Sequence, residues 1–177
     1  MITLLIDTSS NCNVIAIFQN GDIIAHSLFN SKSNQLICEI DALLKKCQLN
    51  KSDIEKIAIG TGPGSFTGTR IGVIVAKSMN FALNIPLAPF NSMALYIPQC
   101  KAGFTLLRDA KSGQFYQLSG KWENNSLSLD SPSLINEASE DVMCDDLPIN
   151  FNAIISLINN VKPLTHKEIT ISYLKNP

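Results

Sequence analysis

Apolar and polar residues change rhythm several times along this chain, and each change marks an element. The run ITLLIDTS is nearly continuous, rich in β-branched residues, and ends in Asp-Thr-Ser. It predicts a buried strand followed by a polar turn. NVIAIFQ and DIIAHSLF predict two more strands, and Asn20-Gly21 between them predicts a two-residue hairpin. The period then lengthens. Leu36, Ile37, Ile40, Leu43, Leu44 and Cys47 recur at helical spacing, with Lys45 and Lys46 near the end where the dipole favours cations. Ser33 is the expected N-cap. EKIAIGTG returns to strand character, and a second helix is expected from about Gly68 to Leu83.

That second helix is apolar nearly all round: Ile71, Val73, Ile74, Val75, Ala76, Met79, Phe81, Ala82 and Leu83 leave little polar surface. Such a helix has to be covered on more than one side. Gly68, Gly72 and Ala76 form a small-residue ridge at every fourth position, where another backbone can approach closely. The cover is either the chain's own sheet on both sides, or its own sheet on one side and a second protein on the other.

Further along, NIPLAPF predicts a short strand with Pro86 at its edge, and NSMALYIPQ a short helix capped by Asn91 or Ser92. GFTLLRDA, GQFYQLSG and NSLSLDS read as strands. An internal echo appears here. Leu-Leu-x-Asp followed by a turn and two hairpin strands occurs twice, placing Asp7 and Asp109 at equivalent points. LINEASEDVMCDDLP reads as a short acidic helix and loop, FNAIISLINNV as a helix, and TISYLKNP as a terminal strand or tail. The expected organisation is a lobe over residues 1–100, carrying the glycine loop and two helices, and a shorter lobe over 101–177.

Composition narrows the classes. With 177 residues, 45% apolar and 16% charged, the chain is globular rather than disordered. Its formal net charge is −1 and no basic run appears, so it lacks the electrostatic footprint of a nucleic-acid binder. Any RNA role would need a partner's grip. Five scattered cysteines without C-x-x-C favour reduced thiols in the cytoplasm. His26 and His166 have no neighbours at ligand spacing, so no metal site is expected. The N-terminal run reads as a strand, not a signal peptide, and no segment reaches membrane-spanning length. Phe115, Tyr116 and Trp122 lack basic neighbours and read as hairpin packing, not as a stacking platform for bases.

The candidate chemistry sits in GTGPGSFTGTR, residues 60–70. A glycine loop between a strand and a helix N-terminus can bind an anion through outward N–H groups and the helix dipole. It matches no standard nucleotide motif: there is no G-K-[ST], and Pro63 removes one donor. It is not G-x-S-x-G either, and no histidine lies near Ser65 in sequence, which argues against a serine hydrolase. Arg70 could hold a phosphate or form a salt bridge to Asp7 or Asp109. The candidate anion or nucleotide residues are Asp7, Thr8, Ser9, Gly62, Gly64, Ser65 and Arg70.

IDTSSNCNVIAI, GTGPGSFTGTRIGVIVAKSMNFALNIPLAPFNSM, RDAKSGQFY and a terminal SYLK together resemble the TsaB-type subunits of the bacterial tRNA threonylcarbamoyladenosine machinery. The glycine-loop segment is the specific part. The resemblance implies an α/β fold of the actin and sugar-kinase (ASKHA) type, with duplicated βββαβα lobes. The second lobe is expected to be abbreviated, because little chain remains after Pro132. It implies a non-catalytic subunit that pairs with the TsaD catalytic subunit and, through it, supports threonylcarbamoyl transfer to adenosine next to the anticodon. It also implies contact with the TsaE ATPase, self-pairing when TsaD is absent, and access to tRNA only through the complex. TsaD-like proteins carry H-x-x-x-H on the first long helix; here that region reads SKSNQLICEID, without histidine, and Asn34 stands where similar proteins often have one. The implied partner face is Leu36, Ile40, Leu43, Gly68, Ile71, Gly72, Val75, Ala76 and Met79. No intrinsic cofactor is expected beyond a weak nucleotide site. Competing readings are a glycopeptidase-like hydrolase, an ASKHA phosphotransferase, and a stand-alone homodimeric scaffold.

Overall fold

The computed structural model describes residues 1–30, 35–99, 103–123, 126–137, 142–172 and 174. Strands β1 (Ile2–Asp7), β2 (Asn13–Gln19) and β3 (Asp22–Phe29) form an antiparallel meander. Asn20 and Gly21 turn it with φ of 55° and 97°, the left-handed geometry that a tight hairpin requires. Helix α1 (Leu36–Lys46) leads to β4 (Lys56–Gly60), and helix α2 (Phe66–Leu83) to β5 (Leu87–Phe90). β4 runs parallel to β1 and β5 parallel to β4, giving the order β3-β2-β1-β4-β5.

The second sheet repeats this plan. β6 (Gly103–Lys111), β7 (Gln114–Glu123) and β8 (Ser126–Leu129) form a meander, and β10 (Val142–Met143) adds parallel to β6. The short β9 (Ser133–Ile135) also pairs with β7, and helix α3 (Phe151–Ile158) follows. The echo is a true repeat in register: Leu4 lies opposite Ile57 on β4 just as Leu106 lies opposite Val142 on β10. The abbreviation is visible as well, since β10 has two residues where β4 has five.

Alternation along the first sheet decides the layers. Leu4, Ile6, Ile15, Ile17, Ile57 and Ile59 point to one side and are covered by α1 and α2. Leu5, Val14, Ala16, Phe18 and Ala58 point to the other, against Met93 and Leu95, the second sheet's Leu106 and Leu118, and Ile154 of α3. Each fully buried Leu, Ile, Val, Phe or Met among them is worth about 1.5–3 kcal/mol.

Several expectations change. α2 begins at Phe66 rather than Gly68, because Ser65 caps it, accepting from Gly68 N–H at 3.2 Å. The segment read as an acidic helix contains β9 and β10 and a 3₁₀ turn over Cys144–Asp146; ladder pairing with β7 and β6 outcompetes local helix preference. The Ser33 cap, Asn34 and residues 138–141 lie outside the described residues. Asn91 is the cap of the 3₁₀ turn Ser92–Tyr96, accepting from Met93 N–H. Of the stretch 170–177 expected as a terminal strand or tail, only 170–172 and 174 are described, and none of these lies in a strand. Leu164 exchanges backbone hydrogen bonds with Leu87, Ile169 is buried in the helix-side core, and Ser172 N–H donates to Thr61. Residues 164–172 therefore return to the first sheet, although they follow the second in sequence.

Candidate functional site

The turn after β1 and the glycine loop after β4 are fastened to each other. Ser65 N–H donates to Ser9 O, and a Cβ on Gly64 would lie 2.3 Å from that same oxygen. Thr8 Oγ1 donates to Gly68 O at 2.7 Å and accepts from Gly72 N–H at 3.1 Å. A Cβ on Gly68 would meet Thr8 O at 2.1 Å. The ridge of small residues thus seats the Asp7–Ser9 turn from within the chain, and glycine is required because backbone fills the space.

Asp7 is buried. Its Oδ1 accepts from Ser9 N–H at 2.9 Å and from Ser9 Oγ at 2.8 Å. Its Oδ2 has no aligned donor, with the Ser92 hydroxyl beside it. Burial raises the carboxyl above its ordinary range, opposed by Ser92, by Ser9 and by the charge of Arg108.

Arg108 comes from β6 and is only 3% exposed. Its Nη1 donates to Ser9 Oγ at 3.2 Å and to Pro63 O at 2.9 Å. Its Nη2 lies 3.0 Å from Asp145 Oδ1, an ion pair without hydrogen-bond alignment, and the guanidinium carbon sits 5.3 Å from the Tyr96 ring centroid. Burial works to lower its pKa, but Cys144, Asp145, Asp7 and Tyr96 outweigh burial and raise it. Above this floor opens a cleft of about 580 Å³ between the loops and the β6–β7 hairpin, with Ser9, Ser65, Phe66, Lys111, Tyr116 and Asp145 in its walls.

Of the expected site residues, Ser9, Gly64 and Ser65 reach the cleft. Asp7 lies beneath it, held to Ser9. Thr8 turns to α2, and Gly62 N–H donates to Ser92 Oγ. Arg70 is exposed on α2, its guanidinium 3.6 Å from the ring centroid of Phe66 in the cleft wall. The guanidinium that acts on Asp7 is that of Arg108. Arg108 escaped the sequence reading. Its signal was an arginine at the inward position of the alternation Leu106, Arg108, Ala110, all three buried. Ser65 Oγ is engaged as a helix cap. His166 is bonded to Asn80 near the far end of α2, about 22 Å away at helical rise, so it is no base for that serine. His26 is exposed on β3 against Phe151. Among the described residues no group of three metal-ligating side chains converges.

The residues expected at a partner face divide by burial. Leu36, Ile40, Leu43, Gly72 and Ala76 are buried in the chain's own core; Ile71, Val75 and Met79 are partly buried against it, and Gly68 sits on Thr8. The large apolar side chains exposed on these helices are Ile37, Phe66, Ile74, Leu83 and Phe81, the last 77% exposed. The helix face that points at the sheet is the one with the best apolar periodicity, so periodicity selected the inner stripe.

A family model described as TsaD, tRNA N6-adenosine threonylcarbamoyltransferase, matches residues 25–134, more than half of the sequence. The chain belongs to the TsaD family. Within that family its relatives include the tRNA threonylcarbamoyladenosine biosynthesis protein TsaB of Bacillus subtilis, 32% identical over 133 residues, covering 72% of this chain and 58% of that protein. The TsaB of Haemophilus influenzae is 30% identical over 92 residues, covering 51% and 39%. A tRNA N6-adenosine threonylcarbamoyltransferase of Pediococcus pentosaceus is 28% identical over 113 residues, covering 53% and 33%. The matched stretch therefore spans less than two thirds of each of these relatives. The resemblance to TsaB-type proteins drawn from the glycine-loop motif agrees with them. In fold, YeaZ from Pseudomonas aeruginosa superposes with a TM-score of 0.83 over 98% of this chain and 99% of that one, at 19% identity. The duplicated α/β architecture of the TsaD family is the fold of this chain.

Proposed function

We propose that the chain is a non-catalytic, TsaB-type accessory subunit that pairs with a TsaD-type transferase and so supports threonylcarbamoyl transfer to adenosine beside the anticodon of tRNA. One observation carries the pairing: Ile37 of α1 and Phe66, Ile74, Phe81 and Leu83 of α2 are large apolar side chains that stand exposed. Exposed apolar side chains grouped on two adjacent helices suit a helical interface. The non-catalytic role is supported by the polar groups at the glycine loop, which are spent on structure: Ser65 on its helix, Thr8 on Gly68 and Gly72, and Asp7 on Ser9.

In this reading the chain works in the cytoplasm, meets tRNA only through the complex, contacts a TsaE-type ATPase in the larger assembly, and pairs with itself when the transferase is absent. It carries no resident cofactor, and any nucleotide in the cleft is held weakly. Light scattering on eluted peaks, for the chain alone and mixed with the TsaD-type transferase of the same cell, tests it. The expected result is a one-to-one complex and increased threonylcarbamoyl transfer to tRNA. A chain that leaves the transferase's size and activity unchanged overturns the reading; turnover of ATP or of a glycopeptide by the chain alone overturns its non-catalytic part.

A further inference from the structure

A buried acid on the first sheet and a buried base on the second meet through one serine. Ser9 Oγ donates to Asp7 Oδ1 and accepts from Arg108 Nη1, and the same Nη1 donates to Pro63 O in the glycine loop. The other side of the guanidinium is held by Asp145, beside β10. A buried carboxylate requires a compensating charge, and a diffusible cation or a fixed one could provide it. Here the nearest fixed charge is Arg108 of the opposite wall, itself paired with Asp145, and its hydrogen bonds hold the turn after β1 to the glycine loop from which α2 starts.

We infer that Arg108 is a latch across the floor of the cleft: paired with Asp145 beside the second sheet, it reaches Asp7 only through Ser9, ties Ser9 and Pro63 together, fixes the separation of the two sheets, and sets the position of the N-terminal end of α2. The latch is independent of the accessory-subunit reading. A fork is needed, because Nη1 serves Ser9 and Pro63 while Nη2 faces Asp145; a lysine ammonium carries the charge but cannot span these partners. The repeat makes the point from the other side. The equivalent of Arg108 in the first sheet is Ile6, an apolar residue packed under α2, so the arginine is not demanded by the fold plan.

The test is chemical rescue of the full chain. Arg108→Ala is expected to melt at lower temperature and to regain part of the loss in millimolar guanidinium chloride, but not in equal sodium chloride or urea, while the parent chain responds to none of them. Hydrogen exchange of residues 8–12 and 62–69 should rise about tenfold or more, with β7 and β8 unchanged. Arg108→Lys, which keeps the charge should Arg108→Ala not fold, is expected to show the same exchange pattern at smaller amplitude. The inference is overturned if guanidinium does no better than sodium chloride, if exchange rises evenly over both sheets, or if Arg108→Lys behaves as the parent.

Discussion

The hydroxyl of Thr8 lies across the backbone ladder of α2, donating to the Gly68 carbonyl at 2.7 Å and accepting from Gly72 N–H one turn later. One side chain thereby fastens the end of β1 to the first turn of the helix that carries the outward apolar face. Thr8→Val keeps the shape and removes both bonds of the hydroxyl while Gly68 O and Gly72 N–H remain helical partners of each other, an expected loss of about 0.5–1.5 kcal/mol in urea unfolding.

The same junction sets the tolerance for larger residues. Gly68→Ala would gain about 1 kcal/mol of helix propensity in an open helix. Here its Cβ meets Thr8 backbone oxygen at 2.1 Å, so net destabilisation of about 1–3 kcal/mol is expected. Thermal melting decides; a stabilised variant would show that the turn after β1 can move away freely.

Ile74→Asp should change folding stability by no more than about 0.5 kcal/mol, since its side chain stands in solvent, and Phe81→Asp by more, since it also loses the edge contact with His166; both should weaken pairing with the transferase. Ile40→Asp, whose side chain is in the core, should instead unfold the chain. Melting curves beside light scattering with the transferase separate the two effects. Loss of pairing in neither outward variant would remove α2 from the interface.

The pH dependence of Asp7 has a definite sign. Burial raises its carboxyl, so the folded chain binds that proton more tightly than the unfolded one. This contribution is most favourable below the ordinary carboxylate pKa, and is lost as pH rises through the raised value. Asp7→Asn lacks it. The stability of the parent minus that of the variant should therefore fall with rising pH over this window and then level off. The exposed Asp41, Glu55 and Glu168, lowered chiefly by Lys45, the Ile2 N–H and the Thr165 N–H, lose stability in the opposite direction but act equally in both proteins. Urea titrations at several pH values provide the difference directly.

Cysteine reactivity should divide by burial. The Cys144 thiol is pushed up to about 11 by burial, and about one molecule in a thousand is a thiolate there at pH 8. Cys38 is exposed. Iodoacetamide followed by peptide mass mapping should label Cys38 in the folded chain and Cys144 only after unfolding.

Much of the first lobe was legible in the sequence. The strand alternation, the Asn20-Gly21 turn and the helix periods are local signals, and each reports the face that a residue presents. The repeat was legible too, through Leu-Leu-x-Asp. The site was only partly so. Ser9 was marked by the turn that ends the first strand, and Gly64 and Ser65 by the glycine loop, but Arg108 carries no local signal beyond its place in a strand.

The sequence by itself determined where the strands and the two long helices of the first lobe form, that the glycine loop must turn tightly, and which family motif it resembles. Tertiary structure decided which apolar stripe of α2 is covered, that β9 and β10 extend the second sheet, that residues 164–172 return to the first, and that Arg108 rather than Arg70 reaches Asp7, through Ser9. The physical reason is range. Periodicity fixes a residue's direction relative to its own element, whereas Arg108 and Ser9 are 99 residues apart and meet only because two sheets close on a shared core.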